Sequence, residues 1–168
     1  MGTLHEKITL LRGLLTGEIA HAGPFYITVD VTRRCNLRCE GCRYHSPAVD
    51  MPSPGNKEIL DTSLNMFQDV CDELRTMGTR SMILIGEGEP FLHPHLFDLI
   101  SAAKSVGLHV TLFTNGTMLD KASVKLLVDS RLDILKVSCW ASSSDEYRRN
   151  YPGTNRGNFE KIVTGLQH

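Results

Sequence analysis

The sequence predicts an α/β fold: a parallel sheet made of four strand–helix units, with a helix leading into it. Two observations carry this. Short apolar runs rich in β-branched residues alternate strictly with stretches of helical periodicity. Such alternation requires a crossover between successive strands, and crossovers of this kind run right-handed and leave the strands parallel. The chemically distinctive residues also fall just beyond the C-terminal end of each apolar run. In a parallel α/β sheet that edge is where ligands bind.

Each element has its own signal. Ile8, Leu11 and Leu15 recur at helical spacing, so residues 1–24 are expected to form a helical lead-in. Residues 25–31 are β-branched and aromatic and read as the first strand. Pro47, Pro52, Pro54 and Gly55 mark residues 46–57 as a long loop. A helix then starts near residues 61–63, carries Leu64, Phe67, Val70, Cys71, Leu74 and Met77 on its apolar side, and stops at Gly78. Residues 81–85 form the second strand, and a helix from Pro94 carries Leu96, Leu99, Ile100 and Ala103 as far as Gly107. The third strand covers residues 108–113. Asp120 caps a helix through Val124, Leu127 and Val128. Residues 133–138 make the fourth strand, and Phe159, Ile162, Val163 and Leu166 mark a last helix.

Composition narrows the function classes. The chain has 168 residues, enough for one core, and its 18 Lys and Arg against 19 Asp and Glu leave a net charge of −1. No basic footprint points to nucleic acid. No apolar run approaches the roughly 20 residues that span a membrane, and residues 1–19 lack a signal-peptide core. A cytoplasmic setting is the expectation. Five cysteines without an export signal favour metal or redox chemistry over a disulfide framework. Cys71, on a helical apolar side, reads as a core residue, and Cys139 also reads as structural.

The remaining three cysteines are crowded. Cys35, Cys39 and Cys42 are spaced C-x3-C-x2-C directly after the first strand. A structural zinc site and a fully protected iron–sulfur cubane each take four protein ligands. Three thiolates leave one metal position open. Taken alone, the loop suits a Cys3His zinc site with His45 as well as it suits an iron–sulfur centre. Three further loops follow the later strands: residues 86–90, residues 114–116 and residues 138–140. Zinc leaves them unexplained. A dinucleotide fingerprint at Gly86 and Gly88 fails, because its third glycine position is Phe91. His93 and His95 read as capping or surface residues, and Arg148, Arg149 and Arg156 as a solvated basic spot. Trp140 fits the lining of a cavity and half-buried packing equally well.

Cys35, Cys39 and Cys42, with Gly88-Glu89-Pro90, Thr114-Asn115-Gly116 and Ser138 in the successive loops, resemble the radical S-adenosylmethionine (radical SAM) enzymes. The likeness is closest to the group that includes molybdenum-cofactor cyclases and peptide-modifying enzymes. It implies that the three thiolates hold a [4Fe–4S] cluster whose fourth iron is chelated by the methionine end of SAM. Glu89 would accept hydrogen bonds from the SAM amino group, Gly88 would let backbone approach the ligand, and Pro90 would stiffen the turn. Asn115 and Ser138 would bond the carboxylate or ribose, with Gly41 and Glu87 completing the cofactor-binding set. The implied chemistry is reductive cleavage of SAM to a 5′-deoxyadenosyl radical that takes hydrogen from an unknown substrate. A low-potential flavodoxin or ferredoxin would supply the electron.

Three departures accompany the likeness. Gly41 stands where the family usually has an aromatic residue packed near the adenine, and Tyr44 is the candidate substitute. Glu87 stands in the Gly-Gly-Glu-Pro pattern, its first glycine displaced to Gly86. Residues 25–168 read as the (β/α)4 half of a partial TIM barrel, truncated after the fourth unit. The alternative function is accordingly a non-catalytic or incomplete fragment. It would bind only a cluster or a Cys3His zinc ion, and would need a dimer mate or a partner chain with the missing half.

Overall fold

The computed structural model describes residues 4–48 and 61–168. Of the loop expected over residues 46–57, the part from residue 49 onward lies outside the described residues. The elements run α1 (Leu4–Thr16), β1 (Tyr26–Asp30), α2 (Leu64–Thr76), β2 (Ser81–Ile85), α3 (Leu96–Ser105) and β3 (His109–Thr114). They continue with α4 (Lys121–Asp129), β4 (Ile134–Val137), α5 (Ser144–Asn150) and α6 (Gly157–Gly165), and a 3₁₀ turn at Pro90–Leu92 precedes α3. The expected α/β alternation is present.

All four strands pair in parallel, in the order β1-β2-β3-β4. Spatial order that follows chain order, with right-handed crossovers, puts every crossover on the same face. This is the winding of a barrel wall rather than of a doubly wound sheet. The register aligns Val29, Leu84, Leu112 and Leu135 across the sheet. These side chains join the main core with Phe67, Cys71 and Leu74 of α2 and Leu99 and Ile100 of α3. On the opposite face Lys136 lies over the Phe113 ring, 5.0 Å from its centroid.

A second, smaller core packs Leu37, from the cysteine loop, against Tyr147, Tyr151 and Ile162. Tyr147 and Tyr151 stack with centroids 4.2 Å apart. Their i, i+4 spacing in an otherwise polar segment is what conceals α5 from hydrophobic periodicity. Ser143 caps this helix by accepting from the Glu146 N–H.

Several expectations shift. The third helix begins at Leu96 rather than Pro94, because the chain first makes the 3₁₀ turn. Helix α1 forms, but Ile8, Leu11 and Leu15 lie open to solvent instead of covering a core. Val128 and Val163 are exposed too; each is one position, about 100° around its helix, from the buried Leu127 and Ile162. No described helix is long and apolar enough to cross a membrane.

Leu112, fully buried at the centre of β3, tests the main core. Leu112→Ala should cost about 2–5 kcal/mol, seen as a lower urea midpoint in equilibrium unfolding at unchanged slope.

Candidate functional site

The parallel sheet sends the four strand ends to one edge, and the first two loops there are joined by backbone. Val31 N–H donates to the Ile85 carbonyl (2.8 Å), Gly88 N–H to Thr32 (3.0 Å) and Glu89 N–H to Arg34 (2.7 Å). The strand pairing thus continues past the sheet. This approach requires glycine: a Cβ on Gly88 would stand 1.9 Å from the Arg34 carbonyl oxygen, and one on Gly86 would stand 2.7 Å from that of Thr32. The close approach at Gly88 is therefore to the cysteine loop's own backbone. Side chains secure the join. Arg34 pairs with Asp61 (Nη2 to Oδ2, 2.7 Å) and donates to the Leu92 carbonyl (2.6 Å), while Arg33 pairs with Glu87 (2.8 Å).

Glu89 ties in the third loop. Its side chain is 2 % exposed. Oε1 accepts from Thr114 Oγ1 (2.6 Å) and the Phe91 N–H (3.2 Å), and Oε2 accepts from the Asn115 N–H (2.7 Å). Burial pushes this carboxyl above the usual range, against the pull of those hydrogen bonds, led by the one from Asn115. A carboxylate offers about four acceptor positions, so one on Oε2 is left over. Asn115 Nδ2 donates to Asn36 Oδ1 (2.8 Å), linking the third loop to the cysteine loop. The Ser138 N–H donates to the Thr114 carbonyl (2.8 Å), which brings in the fourth loop.

These loops enclose a cleft of about 310 Å³. Cys35, Cys39 and Cys42 line it, as do Gly41, Glu87, Gly88, Glu89, Pro90, Asn115 and Ser138, so every candidate site residue reaches one cavity. The three thiols are free and half-buried. The N–H groups of Tyr44 (3.4 Å) and His45 (3.2 Å) point at Cys42 Sγ, and that of Leu37 points at Cys35 Sγ (3.5 Å). The Leu37 N–H favours the Cys35 thiolate. Burial pushes Cys39 up to about 11, with the charges of Cys35 and Cys42 adding to the effect, and burial likewise raises Cys35.

Among the described residues, no group of three His, Cys, Asp or Glu side chains is gathered tightly enough to hold one metal ion. Zinc–sulfur bonds of about 2.3 Å would need the sulfurs nearly in contact, and His45 does not join the thiols in such a set. The expectations for the other residues resolve individually. His93 is buried: its Nδ1 accepts from the His95 N–H (3.0 Å) and its Nε2 faces the Thr62 carbonyl (2.9 Å). It fastens the turn before α3 rather than lying at the surface. Arg148 and Arg149 are solvated, and Arg156 pairs with Asp145 (3.2 Å). Cys71 is in the core and Cys139 packs against the second core. Arg34, Asp61 and Asn36 support the site without having been singled out, and Thr114, read only as part of its loop motif, holds Glu89. Asn36 lies inside the cysteine run, which was the one available signal.

The family model of the Radical SAM superfamily matches residues 29–168. This chain belongs to the radical SAM superfamily. It is 30% identical over 150 residues to the AdoMet-dependent heme synthase of Methanosarcina barkeri, covering 86% of this chain and 38% of that protein. It is also 30% identical over 114 residues to the tungsten-containing aldehyde ferredoxin oxidoreductase cofactor-modifying protein of Pyrococcus furiosus, covering 67% and 30%. Streptococcus suis SuiB bound to S-adenosylmethionine superposes with a TM-score of 0.68 at 18% identity, over 95% of this chain and 35% of that one. The radical SAM chain thus spans about a third of the length of these relatives.

Two outcomes test the site. Gly88→Ala should push the two loops apart at a cost of about 1–3 kcal/mol, measured as a lower Tm, with a matching loss of metal uptake. In metal-free protein the thiolate fraction of Cys39 grows about tenfold per pH unit below its pKa. With that pKa near 11, iodoacetamide labelling of Cys39, followed by peptide mass spectrometry, should climb from pH 7 to 9 without levelling.

Proposed function

We propose that this radical SAM chain binds a [4Fe–4S] cluster through Cys35, Cys39 and Cys42, and S-adenosylmethionine through the adjoining loops. The observation that carries the reading is the meeting of three thiols with Gly41, Glu87, Gly88, Glu89, Asn115 and Ser138 on one cleft. The donor set fits the group: three half-buried sulfurs satisfy three irons and leave the fourth for the methionine end of SAM. When bound, the pair supplies reductive cleavage of SAM to a 5′-deoxyadenosyl radical that removes hydrogen from a substrate.

The chain's own residues then have distinct tasks. Backbone N–H groups at Cys35 and Cys42 offset thiolate charge in a half-buried loop. Glu89 spends three acceptor positions on Thr114, Phe91 and Asn115. The fourth receives the SAM amino group, held in place by the loops that the same carboxylate fixes. The second amide hydrogen of Asn115 and the hydroxyl of Ser138 bond the carboxylate or ribose. Gly86 and Gly88 keep the cysteine loop and its neighbour in register, and the Arg33–Glu87 pair closes the rim. Phe113, Tyr44 and Trp140 give the cleft apolar wall and exclude water.

In this reading residues 25–168 are core, residues 1–24 are a lead-in, and the electron comes from a flavodoxin or ferredoxin. Oxygen-sensitive cluster chemistry and free thiols suit a cytoplasmic setting.

Anaerobic reconstitution with iron and sulfide should load about four irons per chain with brown absorbance. Cys35→Ala, Cys39→Ala and Cys42→Ala should each lose most of that iron, and SAM should alter the electron paramagnetic resonance spectrum of the reduced protein. A chain that takes up one zinc and no sulfide would overturn the reading.

A further inference from the structure

We propose that Trp140 is the stacking surface for the adenine ring, so that the ligand cleft is aromatic at the end of β4 rather than within the cysteine loop. This rests on the SAM-binding reading above. Three observations on this chain support it. Trp140 is 52 % exposed yet lines the same cleft as the three thiols. A large indole left open in a concave site is unexplained by packing, because burying it would be favourable.

The backbone that carries the ring is also held from behind. The Trp140 N–H donates to the Tyr151 hydroxyl (2.8 Å), and its carbonyl accepts from Asn150 Nδ2. Tyr151 is itself buried and stacked on Tyr147, with its ring 6.3 Å from the indole. The backbone of Trp140 is therefore anchored to the second core although its side chain is not covered by it. Such restraint lowers the entropy lost when a planar ligand settles on the ring.

Gly41 supplies the third observation. A Cβ built there would stand 3.1 Å from Cζ3 and 3.6 Å from Cη2 of Trp140. The benzo edge of the indole thus occupies the space that a side chain between Cys39 and Cys42 would fill. The absence of a side chain at Gly41 and the presence of an exposed ring at Trp140 are one arrangement. A ligand with a charged chelating end at the thiols and a flat apolar end finds both surfaces side by side. Tyr44, the substitute suggested by sequence proximity, has no atom within 4 Å of where a Gly41 Cβ would stand.

Trp140 is the only tryptophan in the chain, so its emission reports on this site alone. In cluster-loaded protein, SAM and 5′-deoxyadenosine should quench that emission saturably, while methionine should leave it unchanged. By equilibrium dialysis with labelled SAM, W140A should weaken binding by about tenfold or more, the range of one base–aromatic stack, and W140F should stay within about threefold of the parent. Circular dichroism melts check that both variants fold; if W140A does not, the quenching on the parent protein and the W140F affinity decide. SAM that saturates the parent without changing its emission, or a folded W140A that binds SAM as tightly, overturns this assignment and leaves the SAM reading standing. Loaded protein that binds no SAM by dialysis overturns both.

Discussion

The site depends on the backbone join between the ends of β1 and β2. Two hydrogen bonds, Gly88 to Thr32 and Glu89 to Arg34, carry the sheet's pairing out into loops that would otherwise move independently. This join sets the distance between the thiols and the glutamate loop, and only hydrogen in place of a side chain at Gly88 permits it. The ion pairs of Arg34 with Asp61 and Arg33 with Glu87 sit on top of it. They are partly solvated, so their worth is modest and lies in holding geometry.

Electrostatics work in the opposite direction. The cleft gathers groups whose charged forms are disfavoured by burial: Glu89, Cys35 and Cys39 are all raised. A buried carboxylate beside thiolates is a strained arrangement unless a cation is added. In the proposed reading, iron together with the sulfonium and ammonium of SAM would supply that positive charge. Cluster binding, as proposed, would release protons from the thiols and so couple to pH. The hydrogen-bond donors around Glu89 and Cys35 moderate the cost without removing it.

Much of this was legible in the sequence, for identifiable reasons. Alternating strand and helix patterns are local, so the four parallel units and the position of each loop could be read directly. The spacing of Cys35, Cys39 and Cys42 is also local. What could not be read were relations between distant segments: that Gly88 packs against the Arg34 backbone, that Glu89 is committed to Thr114 and Asn115, and that Trp140 rests on Gly41. Helix α5 escaped because its burial rests on two tyrosines rather than on aliphatic periodicity. The exposure of Leu11, Leu15 and Val163 was hidden for the converse reason: amphipathic spacing specifies a face, not what covers it.

The strand pairing has a kinetic corollary. The segment closed by pairing β1 with β2 is about twice as long as that closed by β2 with β3, and each doubling adds about 0.6 kcal/mol to the entropy of closure. Closure entropy alone therefore favours forming the ladder β2-β3-β4 before β1 adds to its edge. β1 carries the three cysteines with it. Until that docking occurs, the thiols hang on an unanchored tail, open to adventitious metals and oxidants. Assembly in that order would leave the cysteine loop without shelter until β1 is in place.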